Sequence, residues 1–502
     1  MQLKENKLFD ILEKVLLIVA FVAAVVGSSL YLYMSEELFV HFGVAVTFFV
    51  IFLATMAIGI AFSFLATKEN SSKARILNGV ASAIVGLSGL LIIIFQLVVD
   101  FFQPLAIFAP PVVCLVVFLV AYFASGILGL FKKNNSLLVS LVGLGAIGII
   151  LTNVVWANTQ GYAEFNEDVP STIVMAEGEG KYSTYRIPTL MLADGRGKDG
   201  KDALAIFTEA RCHTAKDNSE SELVMKVSMD SGESFTNLQV VLTPTELLGE
   251  VGRIADPTPV YDSVRDKIAI IFMACTASSG YKFKTYYMEG VLHEDGSVDW
   301  DKANIVCASD LLGYAFSAGP SKGSMLSDGT LAFPIRSEGN NYVLYTKDGG
   351  KSFTRGAAAG AGGETDMTML SDTELFMITR RGNMSEFPRN NHLHFIHSSD
   401  NGASWDGEFK ESNLRTPIVM SSVAAHNGVI YTAYCDSYRT RANLSYAVST
   451  DKGATWTTTP LYSGASGYAV GDISDDGMYY IVAEMGKIEY HEEIRLFFVN
   501  VA

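Results

Sequence analysis

Four octapeptides in the second half of the chain repeat one pattern: SMDSGESF from Ser228, TKDGGKSF from Thr346, SSDNGASW from Ser398 and STDKGATW from Ser449. Each fits Ser/Thr-x-Asp-x-Gly-x-x-Phe/Trp, and each follows an apolar run: ELVMKV, NYVLY, HLHFIH or ANLSYAV. A strand, an Asp/Gly turn, an aromatic and a second strand make a β-hairpin. The last three copies begin 52 and 51 residues apart. A period of about 50 residues is the length of one four-stranded propeller blade. Residues 170–502 continue in the same style, as short alternating strands broken by SDG at 327, DGG at 348, DNG at 400 and SDDG at 474. Long helical periodicity is absent from this stretch. At about 50 residues per blade it predicts an all-β propeller of six blades. HEDGSVDW from His293 is a degenerate candidate for a fifth copy.

The repeated residues read as structure. The Asp accepts bonds from turn amides, the Gly supplies positive φ, and the aromatic packs between strands. A calcium loop would need a run of oxygen ligands that the pattern lacks. The chemistry must then lie in residues that do not repeat.

Composition divides the 502 residues near position 158. Five apolar runs, roughly 15–34, 38–66, 76–99, 104–131 and 137–157, are each long enough for a spanning helix of about 20 residues. The fourth contains Pro110 and Pro111, a kink that spanning helices tolerate. A cleaved signal peptide would not be followed by four more spans. Lys4, Lys7 and Lys14, then Lys68, Lys73 and Arg75, then Lys132 and Lys133 mark the cytoplasmic loops, while Glu36, Glu37 and Asp100 occupy the others. An odd number of spans puts residues 158–502 outside. The expected organisation is an all-α transmembrane region over 1–157, a linker over 158–169 and a propeller over 170–502.

The first 157 residues hold eight Lys/Arg against seven Asp/Glu, so the rest carries −17 of the whole-chain −16. So acidic an outer part argues against nucleic acid as a partner and against docking on anionic lipid. Membrane lipid is expected as a partner only through the N-terminal helices. Cys212, Cys275, Cys307 and Cys435 form no CxxC pair and meet no His cluster, so no zinc site is suggested. Separately buried thiols are the simplest reading of them.

YRIP at 185–188 followed by these Asp-box repeats resembles the exo-α-sialidases (neuraminidases) of the bacterial and animal type. The resemblance covers about 170 to the end. It implies three arginines for the sialic acid carboxylate: Arg186 in YRIP, Arg380 in LFMITRR and Arg441 in RANLSYAVS. Guanidinium suits that task because it pairs with carboxylate in a fork and stays charged. Arg381 and Arg439 are near-register competitors. In EARCHTAKDNSESE the resemblance implies Asp217 as general acid/base on a loop and Arg211 on the O4 side of the sugar, with Glu209, Glu220 and Glu222 as nearby alternatives. RIADPTPVYD resembles the family's Asn/Asp-Pro-x-Pro-Val segment, which implies Asp256 towards the 5-N-acetyl group; by itself the segment reads as a Pro-bounded turn entering a strand.

GGETDMTML and GYAVGDISDDG imply Glu364 and Tyr468 as the nucleophilic pair, with Tyr462 a lesser candidate. A carboxylate nucleophile would be repelled by the substrate's own carboxylate. A neutral phenol is not, but its pKa near 10 makes it weak, and a hydrogen-bonded Glu can take its proton. Glu484 in YIVAEMG is implied as the partner that holds Arg186.

The expected function is retaining hydrolysis of terminal α-linked sialic acid from glycans, glycoproteins or glycolipids, with no metal or cofactor. A trans-sialidase or an anhydro-forming variant would share these residues. A membrane-tethered sialoglycan-binding propeller would need only the arginines. A transporter finds little support, because few charges lie within the spans.

Overall fold

The computed structural model describes residues 164–280, 282–381, 391–437, 441–487 and 490–502. The five expected spans and most of the expected linker lie outside these residues. Among the described residues no helix is long and apolar enough to cross a membrane. They form strands throughout, with two short α-helices, Pro244–Leu248 and Ala308–Leu312.

Successive strands pair antiparallel as meanders. One sheet runs Thr184–Ala193, Ala203–Arg211, Ser221–Ser228, and continues through Gly252–Asp262, Lys267–Thr276 and Lys284–Leu292. The two halves meet at a single parallel pair, Ser221 with Arg253. The strand Thr457–Ile473 serves two meanders. Its first part pairs with Ala442–Ser449 and its second with Met478–Gly486. The ring closes where the first strand, Ser171–Ala176, pairs with the last, Glu493–Asn500. Just before it, Phe165 bridges Tyr462.

Alternation marks the outer strands, such as Lys410–Arg415, where Glu411, Asn413 and Arg415 are exposed and Ser412 and Leu414 buried. The middle strands do not alternate. Ala203–Arg211 is buried at all nine positions. A sheet covered on both faces needs apolar residues on both. The cores lie between adjacent meanders: Phe207, Met225, Ile254, Ile270 and Phe272 fill one gap, and Phe376, Phe395, Tyr434 and Trp456 another.

All four octapeptides fold alike. Ser228 Oγ donates to Asp230 (2.7 Å) and accepts from Gly232 N (2.8 Å), and Ser234 N donates to Asp230 (2.8 Å). Thr346/Asp348/Gly350/Ser352, Ser398/Asp400/Gly402/Ser404 and Ser449/Asp451/Gly453/Thr455 repeat these bonds. The box glycines have φ from +75° to +88°. A Cβ on them would meet Phe498, Tyr287, Tyr345 or Phe376, an aromatic of the adjacent meander in each case. The box therefore closes its own turn and presses on its neighbour. His293–Gly296 closes a different turn, in which Asp295 accepts from Ser297 N at 2.9 Å.

The innermost strands pack beside one another, and three of them bulge. Register slips between Arg186 and Thr189, between Ala255 and Thr258, and between Ser466 and Ala469. Ile187 (φ 56°) and Asp256 (φ 51°) each precede a proline there. Proline cannot donate to a ladder, so it sits at a bulge. Asp256–Pro257, readable as a turn before a strand, is thus a break inside the eleven-residue strand Gly252–Asp262.

Candidate active site

The bulges take Asp256 and Tyr468 out of their ladders and begin directly after Arg186, which still pairs with Glu209; fully buried Glu484 ties Arg186 and Tyr468 together. Its Oε1 accepts from Arg186 Nε (2.6 Å) and Ile187 N (2.7 Å), and its Oε2 accepts from Tyr468 N (3.1 Å). A carboxylate with donors from two strands fixes both bulges at once. Burial opposes the charge on Arg186, but Glu484 outweighs it and holds the guanidinium cationic.

Glu364 leads into Thr365–Met369, and Arg380 ends Leu375–Arg380. The pairing of Thr365 with Thr379 sets the two side by side. Gly363 is required here, because a Cβ would lie 2.9 Å from Arg380 Cγ. Tyr468 donates its hydroxyl to Glu364 Oε1 at 2.9 Å. Arg380 Nη1 donates to the phenol oxygen at 3.2 Å. The same nitrogen lies 2.9 Å from Glu364 Oε2, although that oxygen receives no hydrogen bond of proper direction, so the contact is electrostatic. Burial pushes the Tyr468 phenol well above its ordinary pKa; Arg380 opposes this and Glu364 adds to it. The phenol is therefore neutral, with an acceptor for its proton in place.

Arg441 precedes Ala442–Ser449. Its Cζ lies 5.5 Å from the Tyr468 ring centroid, and that of Arg186 lies 5.9 Å from it. Arg186, Arg380 and Arg441 thus converge on one phenol.

A second group of charges adjoins the first. Glu209, fully buried, accepts from Arg211 Nη2 (3.0 Å), Arg253 Nη2 (3.4 Å) and Asp256 N (3.2 Å). Arg211 Nη2 also lies 3.0 Å from Asp217, whose side chain is 85% exposed. Desolvation by the neighbouring protein pushes the Asp217 carboxyl upward, but Arg211 and then Arg186 together outweigh it and hold it below the ordinary carboxylate value. Asp256 is pushed well up, by burial first and then by Glu209 and Glu364. The Ala215 carbonyl accepts from Arg186 Nη1 (3.1 Å) and from Arg211, so the Asp217 loop touches both groups.

Of the alternatives, Glu209 is the buried centre of this second group; the others lie elsewhere. Glu222 accepts from Tyr182 and Lys181, and Glu220 faces exposed His213. Tyr462 donates to the Gly486 carbonyl. Arg381 is exposed, and Arg439 lies outside the described residues. Among the described residues no cluster of His, Cys, Asp and Glu could hold a metal ion. Cys212, Cys275, Cys307 and Cys435 are free thiols.

Three participants were not foreseen. Arg253 is the second cation on Glu209; its place three residues before Asp256 in a buried strand was a usable signal. The Ala215 carbonyl carries none, because backbone has no signature. Tyr490, whose ring centroid is 5.0 Å from the Cζ of both Arg186 and Arg441, belongs to no motif.

The architecture is that of the sialidases. The Hadza microbial sialidase Hz136 superposes with a TM-score of 0.56 at 17% identity, over 66% of this chain and 68% of that one. A Trypanosoma rangeli sialidase complexed with 2,3-difluorosialic acid as a covalent intermediate gives 0.51 at 18%, over 65% and 59%. The NanB sialidase of Streptococcus pneumoniae gives 0.52 at 13%, over 66% and 71%. This chain thus spans between about three fifths and seven tenths of those structures. At such identities the likeness is one of fold. The family described as BNR repeat-like domain matches residues 202–481, more than half of the chain, and the chain belongs to it. No curated protein matches the sequence.

Proposed function

We propose that the protein is a retaining exo-α-sialidase acting on terminal α-linked sialic acid of glycoconjugates. The observation that carries this reading is the 2.9 Å bond from Tyr468 to Glu364 beneath three arginines. A binding module would need the arginines alone. The pairing of a buried phenol with a carboxylate serves proton removal.

The substrate carboxylate lies in the fork of Arg186, Arg380 and Arg441. Asp217, protonated, gives its proton to the glycosidic oxygen as the aglycone leaves. Tyr468 oxygen attacks the anomeric carbon while its proton passes to Glu364. Asp217, now a carboxylate, takes a proton from water, and the hydroxide displaces Tyr468, which recovers its proton from Glu364. Two displacements give net retention. A tyrosine nucleophile is a recognised exception among glycosidases, found in sialidases. The covalent species in the Trypanosoma neighbour supports the same route. Arg211 takes the O4 side of the sugar and Asp256 the 5-N-acyl side. Glu484 holds the Arg186 fork.

We read the ring as six blades, because the pairing registers divide into six four-stranded meanders. The last is completed by Ser171–Ala176. We read residues 1–157 as a membrane anchor of about five helices with the catalytic unit outside the cell, on the hydropathy and loop-charge pattern. Protease added to intact cells should then abolish surface sialidase activity; full protection would sink that topology. The function is tested by incubating the full-length chain with a fluorogenic α-sialoside. Absence of turnover from folded protein would refute the hydrolase.

A further inference from the structure

Tyr490 lies in the connection between Met478–Gly486 and Glu493–Asn500 and takes no part in the steps above. Its ring faces Arg186 and Arg441 at the same 5.0 Å. It also abuts Gly467, where a Cβ would come within 2.8 Å of Tyr490 Cδ2. The adjoining His491 carbonyl accepts from Thr184 Oγ1 at 2.7 Å, two residues before Arg186. The ring is thus fastened to the strands that carry Arg186 and Tyr468.

The two guanidiniums differ in their other partners. Arg186 has Glu484 at 2.6 Å. Arg441 has no carboxylate within ion-pair distance among the described residues, and its neighbours are the rings of Tyr490 and Tyr468. Two adjacent cations, Arg186 buried and Arg441 half-buried, repel each other, and something must hold them together. A protein carboxylate would do so by occupying their N–H donors and would then compete with the substrate. An aromatic face attracts a cation through its quadrupole and leaves the N–H groups free.

Resting on the sialidase reading, we propose that Tyr490 is a positioning residue for the carboxylate fork. Its π face keeps Arg186 and Arg441 side by side without occupying any further N–H donor of either, so that the pair reads the charge on the bound sugar. The role belongs to the ring and not to the hydroxyl.

A desolvated cation–π contact is of the size that changes an equilibrium constant about 10-fold. In the full-length protein, Tyr490→Leu should raise KM for a fluorogenic α-sialoside about 10-fold and change kcat by less than about 3-fold. Tyr490→Phe should stay within about 2-fold of wild type on both. The sialoside methyl ester, which has no charge to read, should give the same kcat/KM with all three proteins. An unchanged KM in Tyr490→Leu, a Phe variant as impaired as the Leu variant, or an equal loss with the ester would each overturn the proposal. Calorimetric titration with free N-acetylneuraminic acid separates this from the activity. Wild type that binds the acid without turning over sialoside would sink the hydrolase alone. Tyr490→Leu must then still bind the acid about 10-fold more weakly, and equal binding overturns the role of Tyr490. Wild type that does not bind the acid overturns both.

Discussion

The four box turns and the axial site draw on overlapping residue types, carboxylates and aromatics, and put them to opposite use. In the boxes each carboxylate is answered within its own octapeptide. Burial pushes Asp230 and Asp348 up, but at these two, as at Asp400 and Asp451, side-chain and backbone donors of the turn favour the ionised form and hold the carboxyl below its ordinary value. At the axis the ladder is broken three times and the charges are answered from other strands. There burial pushes Asp256 and Tyr468 up, and the cations surrounding Tyr468 oppose the rise. Self-contained satisfaction makes a part that can be repeated. Satisfaction across the ring makes a part that occurs once.

The sharpest way to separate the two regions is Tyr468→Phe. It removes one oxygen and keeps the ring packing. Turnover of an α-sialoside should fall by about 10³-fold or more, while the unfolding midpoint in denaturant stays close to wild type. Retained turnover would take the nucleophile away from Tyr468. Collapse of the fold would show that the axial site is scaffold too.

Glu484→Gln tests whether the axis also carries stability. Arg186 would remain buried without a counter-charge, and breaking a buried pair costs about 3–5 kcal/mol. The loss should appear in the denaturant midpoint as well as in KM. A change in KM alone would mean that Arg186 finds another partner. On the box side, Gly232→Ala puts a Cβ 2.7 Å from Phe498 at a φ of +88°. Overpacking and backbone strain should lower stability by about 1–3 kcal/mol, with kcat of the folded fraction unchanged. An altered kcat would join the rim to the chemistry and dissolve the contrast.

Much of this contrast was legible in the sequence because both regions are written locally. The box bonds span four residues, so an octapeptide is enough to specify them. Arg186, Asp217, Glu364, Tyr468 and Glu484 each sit in a short motif. What was illegible depends on chain crossing between meanders. Nothing local says that Thr457–Ile473 serves two of them, or that Tyr490 reaches two arginines from other strands. Asp256–Pro257 was visible as a break, yet only the ladders on either side make it a bulge. The apolar alternation that marked outer strands fails for Ala203–Arg211, which is covered on both faces.

The smallest effect concerns Asp217, the one site carboxylate that stands in solvent. Its side chain is 85% exposed and 3.0 Å from Arg211. Desolvation by the neighbouring protein raises its pKa even at this exposure, but Arg211 and Arg186 together win and lower it. The sign for stability follows. A depressed carboxylate stabilises the fold above its unfolded pKa, and that contribution is lost as pH falls through the folded value. At such exposure the contribution is slight, so the shift should be read in activity. In the proposed mechanism the first step needs the protonated acid, and its fraction falls as pH rises through the lowered pKa. A bound sugar brings a carboxylate to Arg186 and an aglycone over Asp217, both of which favour the proton. The basic limb of kcat should therefore lie at higher pH than that of kcat/KM, since the two report bound and free enzyme. Arg211→Gln should move the kcat/KM limb to higher pH. Added salt, by screening the same cations, should move the wild-type limb in that direction. A limb that stays fixed in both experiments would detach Asp217 from the acid's role and leave buried Glu209 to be tested in its place.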